Sequence, residues 1–432
     1  MARQMKDSGV EWIGQIPEDW EIVRIKQLFA EVDERCTKGN EYTLLSVSEY
    51  YGVSPKKDHL NEDDMLTRAE TLDGYKICRK NDIVMNIMLA WKRALGVSEY
   101  VGIISPAYCV YRARQEVCAK YFHYLFRTDI YAELFKQNST GIIDSRLRLY
   151  PDKFLALKCQ VPPLEQQEKI VSYLDRKCAE IDAIIAKQQQ IIEKLKEYKL
   201  SVITEAVTKG LDPNVPMKDS GVEWIGKIPE HWAIHKFCWD YSAMLGKMLD
   251  AKRITGDSLH PYIKNVDVQW DFINFENLDE MDFSDEEKER YSICPGDLMV
   301  CEGGEIGKCA VVPNDAPNGI YYQKALHRVR RQRQNSGSID FLSKVLYCMA
   351  KNNCLNTSPE KATIAHLPGD ALSQLRIPAP PFREQNQIAG YLKKKCAKID
   401  EMAVRKQAVV EKLQKYKKSL IYEVVTGKRE VS

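Results

Sequence analysis

The sequence predicts an α+β chain in which two globular domains of mixed α and β structure are separated by two long antiparallel coiled-coil helices. The arrangement is expected to be pseudo-two-fold and circularly organised. Three observations carry this. The sixteen residues Met5–Trp20 return as Met217–Trp232, with only Gln15/Lys227 and Asp19/His231 differing. A second repeat, PPLEQQEKIVSYLDRKCAEID from Pro162 and PPFREQNQIAGYLKKKCAKID from Pro380, matches at 11 of 21 positions and continues through Glu193–Thr208 and Glu411–Thr426. Between the repeats, residues 21–161 and 233–379 share only scattered similarity, such as Asn81-Asp82-Ile83-Val84 against Gly296-Asp297-Leu298-Met299. The first repeat recurs at an offset of 212 and the second at 218, so the intervening stretch is six residues longer in the second copy. A duplicated frame holding two diverged inserts, each about one domain in size, is the economical reading.

Residues 1–20 supply one copy of the short constant segment. Residues 21–161 form the first variable domain. Residues 162–210 begin at a Pro-Pro pair, which suits a helix entrance, and contain no glycine or proline from Glu165 to Val207. Leu174, Cys178, Ile181, Ile185, Ile192, Leu195 and Val202 recur at steps of three and four, with Gln188 and Lys199 holding the same register. That is the seam of a long helix, ~65 Å for about 43 residues at the α-helical rise. Residues 211–235 are the linker that carries the second short constant segment, and 236–379 are the second variable domain. Residues 380–432 hold the second helix, with Leu392, Cys396, Ile399, Ala403, Val410, Leu413, Leu420 and Val424 on its seam and Lys406 and Lys417 at the polar positions. Neither rod buries its stripe alone, so each is expected to pair with the other. The linker lacking after the second helix stands at the N-terminus instead. The two termini are therefore expected to lie close together.

Composition excludes several classes. With 63 basic and 61 acidic residues the formal charge is +2, so any nucleic-acid contact must come from local clusters of base. No run of 18 apolar residues is present to span a bilayer and the first residues lack a signal peptide's apolar core, so a cytoplasmic protein without membrane association is expected. The 13 scattered cysteines suggest reduced thiols.

This layout resembles the DNA-specificity subunits of type I restriction-modification systems. The residues that carry the resemblance are Val161–Ile170 (VPPLEQQEKI), Ala379–Ile388 (APPFREQNQI), Pro295–Val312 (PGDLMVCEGGEIGKCAVV) and the two SGVEWIGxIPxxW starts, in doubled order over nearly the whole chain. The first variable domain departs from it, with Lys80-Asn81-Asp82 for Pro-Gly-Asp and MNIMLAWKRAL for the glycine-rich loop. The resemblance implies two target-recognition domains that read an asymmetric bipartite sequence in double-stranded DNA. It also implies partner subunits: methyltransferases, usually two, that bind S-adenosylmethionine, and restriction translocases that use ATP and Mg and cleave DNA. This chain would itself hold no cofactor and no catalytic group. Rods of ~65 Å would span about 19 base pairs and act as a ruler between half-sites.

Catalytic motifs are consistent with that expectation. No [DNS]-P-P-[YFW] occurs, Gly303–Cys309 lacks one spacer and the Ser or Thr of a phosphate loop, and Pro151-Asp152 has its Glu-x-Lys only deep in the long helix, at Glu197-Tyr198-Lys199. Cys294, Cys301 and Cys309 lack zinc-ligand spacing. Base edges are read by Arg, Lys, Asn, Gln and Glu, and phosphates by positive charge. In the second domain, Pro295–Glu302 and Ile306–Val312 read as a hairpin with Glu305 and Lys308 near its tip. Gln323, Lys324 and His327 precede Arg328–Arg333, whose alternation suggests a strand edge. A loop before the second Pro-Pro start offers Lys361, Thr363 and His366, matched in the first domain by Arg146 and Arg148. Lys56, Lys57, Lys92 and Arg93 complete the candidates. A plain surface hairpin and solvated strands are the bland alternative for all of these. Trp12 and Trp224 are expected to anchor the linkers. The rival classes are a coiled-coil scaffold, a DNA-binding protein without restriction partners, and a stand-alone enzyme.

Overall fold

The computed structural model describes residues 3–38, 41–58, 72–248, 256–355 and 366–431. The chain divides into two compact units, Met1–Gln189 with Ala408–Ser432, and Gln190–Gln407. The fold is α+β. Its two long helices run Leu164–Lys209 and Phe382–Val425, 46 and 44 residues, and each unit contains the start of one and the end of the other.

In the first unit a four-stranded antiparallel sheet has the order Phe29–Val32, Tyr108–Ala113, Ile83–Asn86, Leu95–Val97. In the second the order is Tyr241–Leu245, Leu326–Arg331, Leu298–Cys301, Cys309–Val311. The two sheets therefore share one topology despite unlike sequences. The aspartate common to both variable segments explains part of that. Asp82 accepts from the Arg79 amide and from Arg112 at 3.0 and 2.8 Å. Asp297 does the same for the Cys294 amide and Arg330, at 2.6 and 2.7 Å. Each buried carboxylate closes the turn before a central strand and ties it to the neighbouring strand through a bidentate arginine.

The helix seams bury in part as their spacing predicts. Leu174, Cys178 and Ile181 on the first helix and Leu392, Cys396, Ile399, Val410, Leu420 and Val424 on the second are buried. Ile185, Ile192, Leu195 and Val202 are half-buried, and Ile203 and Val207, outside the expected register, take the buried positions at the end of the first helix. Leu174 and Ile181 share one buried cluster with Leu420 and Val424 in the first unit, and Ile203 and Val207 share one with Leu392 and Cys396 in the second. In each unit the beginning of one helix meets the end of the other, which makes the pairing antiparallel. Two of the four polar seam positions are paired: Lys417 Nζ reaches Asp182 at 2.6 and 2.7 Å in the first unit, and Lys199 Nζ reaches Asp400 at 2.7 and 2.9 Å in the second. The carboxylates are exposed, so each pair sets register more than it stabilises.

The constant segments form one joint, built twice. Gln167 and Gln385, from the two Pro-Pro helix starts, are buried at 2% and 4% exposure. Gln167 Nε2 donates to Pro162 O (2.8 Å) and its Oε1 accepts from the Cys118 amide (3.0 Å). Gln385 repeats this with Pro380 O (2.9 Å) and the Ser338 amide (2.8 Å). Cys118 and Ser338 are the N-caps of helices Ala119–Phe126 and Ile339–Lys351, so a side-chain amide satisfies a helix-start N–H in both domains. The bond is made to the main chain and does not depend on which residue stands there. Trp20 and Trp232 are buried at 0% and 1% exposure at the end of each short constant segment. The left-handed Gly427 after the second helix packs so closely on Pro17 and Trp20 that a Cβ would sit 2.4 Å from Pro17 Cδ. Gly210 after the first helix packs on Trp232, where the same atom would lie 3.2 Å from Cζ2. The C-terminal tail thus lies beside the N-terminal segment, as the circular reading expects. Trp12 stands edge-on to Tyr131 at 5.1 Å, and Trp224 packs against the second core, so both anchor their segments.

Candidate nucleic-acid interface

In the second unit several loops converge at one end of the four-stranded sheet. The turn 302–308 joins the strands Leu298–Cys301 and Cys309–Val311. Its Glu302 amide bonds Ala325 O and its Glu302 carbonyl accepts from the Leu367 amide (2.7 Å), while Gly303 bridges His366 and its carbonyl accepts from Asn265 Nδ2 (2.7 Å). The turn therefore sits among 264–270, 323–325 and 366–367. Lys308 extends to Gln269 Oε1 (3.4 Å), Lys324 and His366 are exposed, and Gln323 is half-buried with its amide on Ile263 O. Glu305 receives Trp270 Nε1 at 2.8 Å and Lys351 Nζ at 2.6 Å, both on Oε1. Partial burial pushes its carboxyl up, but these two bonds outweigh that and hold it below the ordinary glutamate value. It is an anion fixed in place with Oε2 unbonded among the described residues.

Two expectations in this unit are corrected. The arginine-rich strand is central, lying between Tyr241–Leu245 and Leu298–Cys301, so it has no free edge. Arg328 is 8% exposed, donates to Arg290 O and Ser292 O, and lies over the Tyr322 ring; Arg330 is taken by Asp297; Arg331 and Arg333 remain exposed. His327 is 1% exposed with Nε2 on Leu367 O at 2.9 Å, and burial pushes its pKa down despite that bond. It supports the loop from beneath and is closed off from solvent. Lys361 and Thr363 lie outside the described residues.

In the first unit the equivalent turn, 87–94, carries Lys92 and Arg93. Trp91 donates Nε1 to Met88 O, and both Lys92 and Lys136 lie over its ring at 5.1 and 5.0 Å. Arg93 is paired with Asp129. Lys136 also reaches Asp144 (3.3 Å), beside exposed Arg146, and the Leu149 amide bonds Ile87 O, so the loop carrying Arg146 and Arg148 is brought to the same turn. Lys92 and Arg93 line a groove of about 1900 Å³ that also includes Tyr50, Tyr51, Lys415 and Lys418. Lys56 and Lys57 stand apart: they follow strand Gly52–Pro55 at its far end from the turn 49–51, a strand's length of about 13 Å away.

The turn 49–51 is held by a residue that the sequence did not single out. Arg127 donates to the carbonyls of Ser48, Glu49, Tyr50, Arg93 and Leu95 at 2.5–3.4 Å. Burial and the neighbouring Arg93 bring its pKa down to about 10, so it stays charged at neutral pH. Asn265, Gln269, Trp270 and Lys351 in the second unit were also missed, because only the tertiary fold brings 264–270 beside the turn 302–308.

All 13 cysteines are unpaired, and burial pushes several thiols up, Cys301 to about 12. Among the described residues no group of three or more His, Cys, Asp or Glu is placed to hold a metal, and no helix is long and apolar enough to cross a membrane.

No family model matches the chain. The type I restriction enzyme MjaVIII specificity subunit of Methanocaldococcus jannaschii is 24% identical over 437 residues, covering 96% of this chain and 94% of its own length. The putative MjaX specificity subunit of the same organism is 22% identical with 96% and 95% covered, and the EcoKI specificity subunit of Escherichia coli K12 is 22% identical with 65% and 60% covered. In fold, a chain from a structure on complex assembly and conformational transition of the type I R-M system aligns with TM-score 0.71 at 15% identity, covering 96% of this chain and 99% of that one. The HsdS subunit of Thermoanaerobacter tengcongensis aligns with TM-score 0.55 at 15% identity, covering 96% and 98%. Along nearly its whole length, the chain is a homologue of the specificity subunits of type I restriction-modification systems.

Proposed function

We propose that this chain is the non-catalytic specificity subunit of a cytoplasmic type I restriction-modification complex, in which it recognises an asymmetric bipartite sequence in double-stranded DNA. The first domain, 21–161, reads one half and the second, 236–379, reads the other. The observation that carries the reading is the duplicated sheet: one topology and one joint, with unlike polar loops at the corresponding sheet end. Copies kept for packing alone would have no reason to carry unlike polar loops there, whereas two readers of two different half-sites must.

Glu305, Lys308, Lys324 and His366 are the readers or phosphate contacts in the second domain, together with Gln269 and Asn265, and His327 supports them from below. Lys92, Arg146 and Arg148 serve the first. The partners are methyltransferase subunits, two by the chain's internal duplication, that bring S-adenosylmethionine, and restriction subunits that use ATP and Mg. The constant helices and linkers, 162–210, 211–235 and 380–432 with 1–20, are the scaffold they dock on.

Binding to a target duplex by the complex with methyltransferase partners tests this. Lys324→Ala is expected to weaken binding to target and scrambled duplex alike and to lower the salt dependence by about one counterion. Glu305→Gln is expected to relax the preference at one base pair of one half-site. Equal affinity of the unmodified complex for target and scrambled duplex would reject the reading.

A further inference from the structure

Ile142 is fully exposed and Ile143 is 52% exposed, side by side at the tip of the loop between helix Asp129–Gln137 and helix Pro151–Ala156. The tip is anchored on every side. Thr140 and Arg148 exchange amide-to-carbonyl bonds in both directions at 2.9 and 3.0 Å, and the Arg146 amide closes on Ile143 O at 2.8 Å. A Cβ at Gly141 would stand 2.6 Å from Arg146 O, so the turn is as tight as glycine allows. Behind it Leu147 and Leu149 are buried at 8% and 0% exposure, and the Leu149 amide holds Ile87 O. The two isoleucines are therefore held outward by a built turn.

The surroundings say what could cover them. Exposed Arg146 and Arg148 follow the tip directly, and Met88 and Leu89, 37% and 39% exposed, lie on the turn to which Leu149 is bonded. Apolar prongs beside guanidinium groups suit an anionic surface that carries isolated apolar spots. The major groove of DNA is such a surface, and its one apolar feature is the thymine methyl group. We propose that Ile142 and Ile143 read A·T pairs of the first domain's half-site by apolar contact with thymine 5-methyl groups. This rests on the DNA-reading function proposed above.

The test uses the complex with methyltransferase partners and target duplexes in which single thymines are replaced by uracil, a change that removes only the methyl. The first domain's half-site is the half left unaltered when residues 236–379 are exchanged. A uracil at the contacted position there is expected to lower affinity about fourfold per methyl lost, while uracil in the other half has no such dependence on this loop. The double variant Ile142→Ser/Ile143→Ser is expected to bind the thymine duplex correspondingly less well, to be indifferent to uracil, and to melt at an unchanged temperature. Two outcomes overturn the inference: a half-site without any A·T pair, or the same uracil sensitivity in the variant. Loss of discrimination between target and scrambled duplex by the unmodified complex would instead reject the DNA-reading function itself.

Discussion

Replacing residues 236–379 with the corresponding domain of a homologue is expected to rewrite one half of the methylated sequence and leave the other half as it was. The original site should lose recognition by a factor of about 10³ or more, the scale that separates specific from non-specific binding. The joint explains why a foreign domain should seat. Gln385 holds the second domain through the Ser338 main-chain amide, as Gln167 holds the first through that of Cys118. Serine and cysteine are unlike, yet the bond is the same, so a third residue at this position would also be accepted. The anchoring Trp232 and the helix start at Phe382 lie outside the exchanged segment and remain in place. Methylation footprinting with the partner subunits reads the result. An unaltered footprint would mean that the bases are chosen elsewhere.

Arg127→Ala is expected to destabilise the first unit by about 3 kcal/mol, because five carbonyls lose a charged donor at once and only some of them can be rehydrated. For a unit of this size the calorimetric melting temperature should fall by roughly 10 °C. Arg127→Lys should recover little, since one ammonium has three donors and no fork to bridge two loops. The same variant should blur recognition of the first half-site, as the 48–50 and 93–95 segments lose their common tie. A melting temperature within about 2 °C of the parent would show that the guanidinium contributes nothing beyond solvated contacts.

The helices and the joint were legible because their determinants are local and repeated. Steps of three and four fix the seam, a Pro-Pro pair fixes its start, and an identical tryptophan segment recurs beside it. One of the two differences between the short repeats has a physical partner: where Asp19 stands, Gln166 bonds it, and where His231 stands, Glu384 takes that place at 2.9 Å. Comparing positions 19 and 166 with 231 and 384 in the sequence would have shown this coupled change.

The site was less legible because it depends on which strands become neighbours. Alternation in Arg328–Arg333 suggested an edge, but pairing on both sides, a tyrosine ring under Arg328 and a carboxylate on Arg330 decide otherwise. His327 looked like a reader by position and is a buried support. Arg127 follows an amphipathic helix with nothing in its immediate sequence to mark the five carbonyls it meets. Ile142 and Ile143 were visible as two apolar letters in a polar loop, a signal that sequence periodicity does not weigh.

Methylome sequencing of a host carrying the complete system, with and without the gene for this chain, tests the central claim most directly. A single asymmetric motif in two parts separated by unread bases, lost when the gene is removed, is the expected result. A continuous or palindromic motif, or one that persists without this chain, would contradict the account.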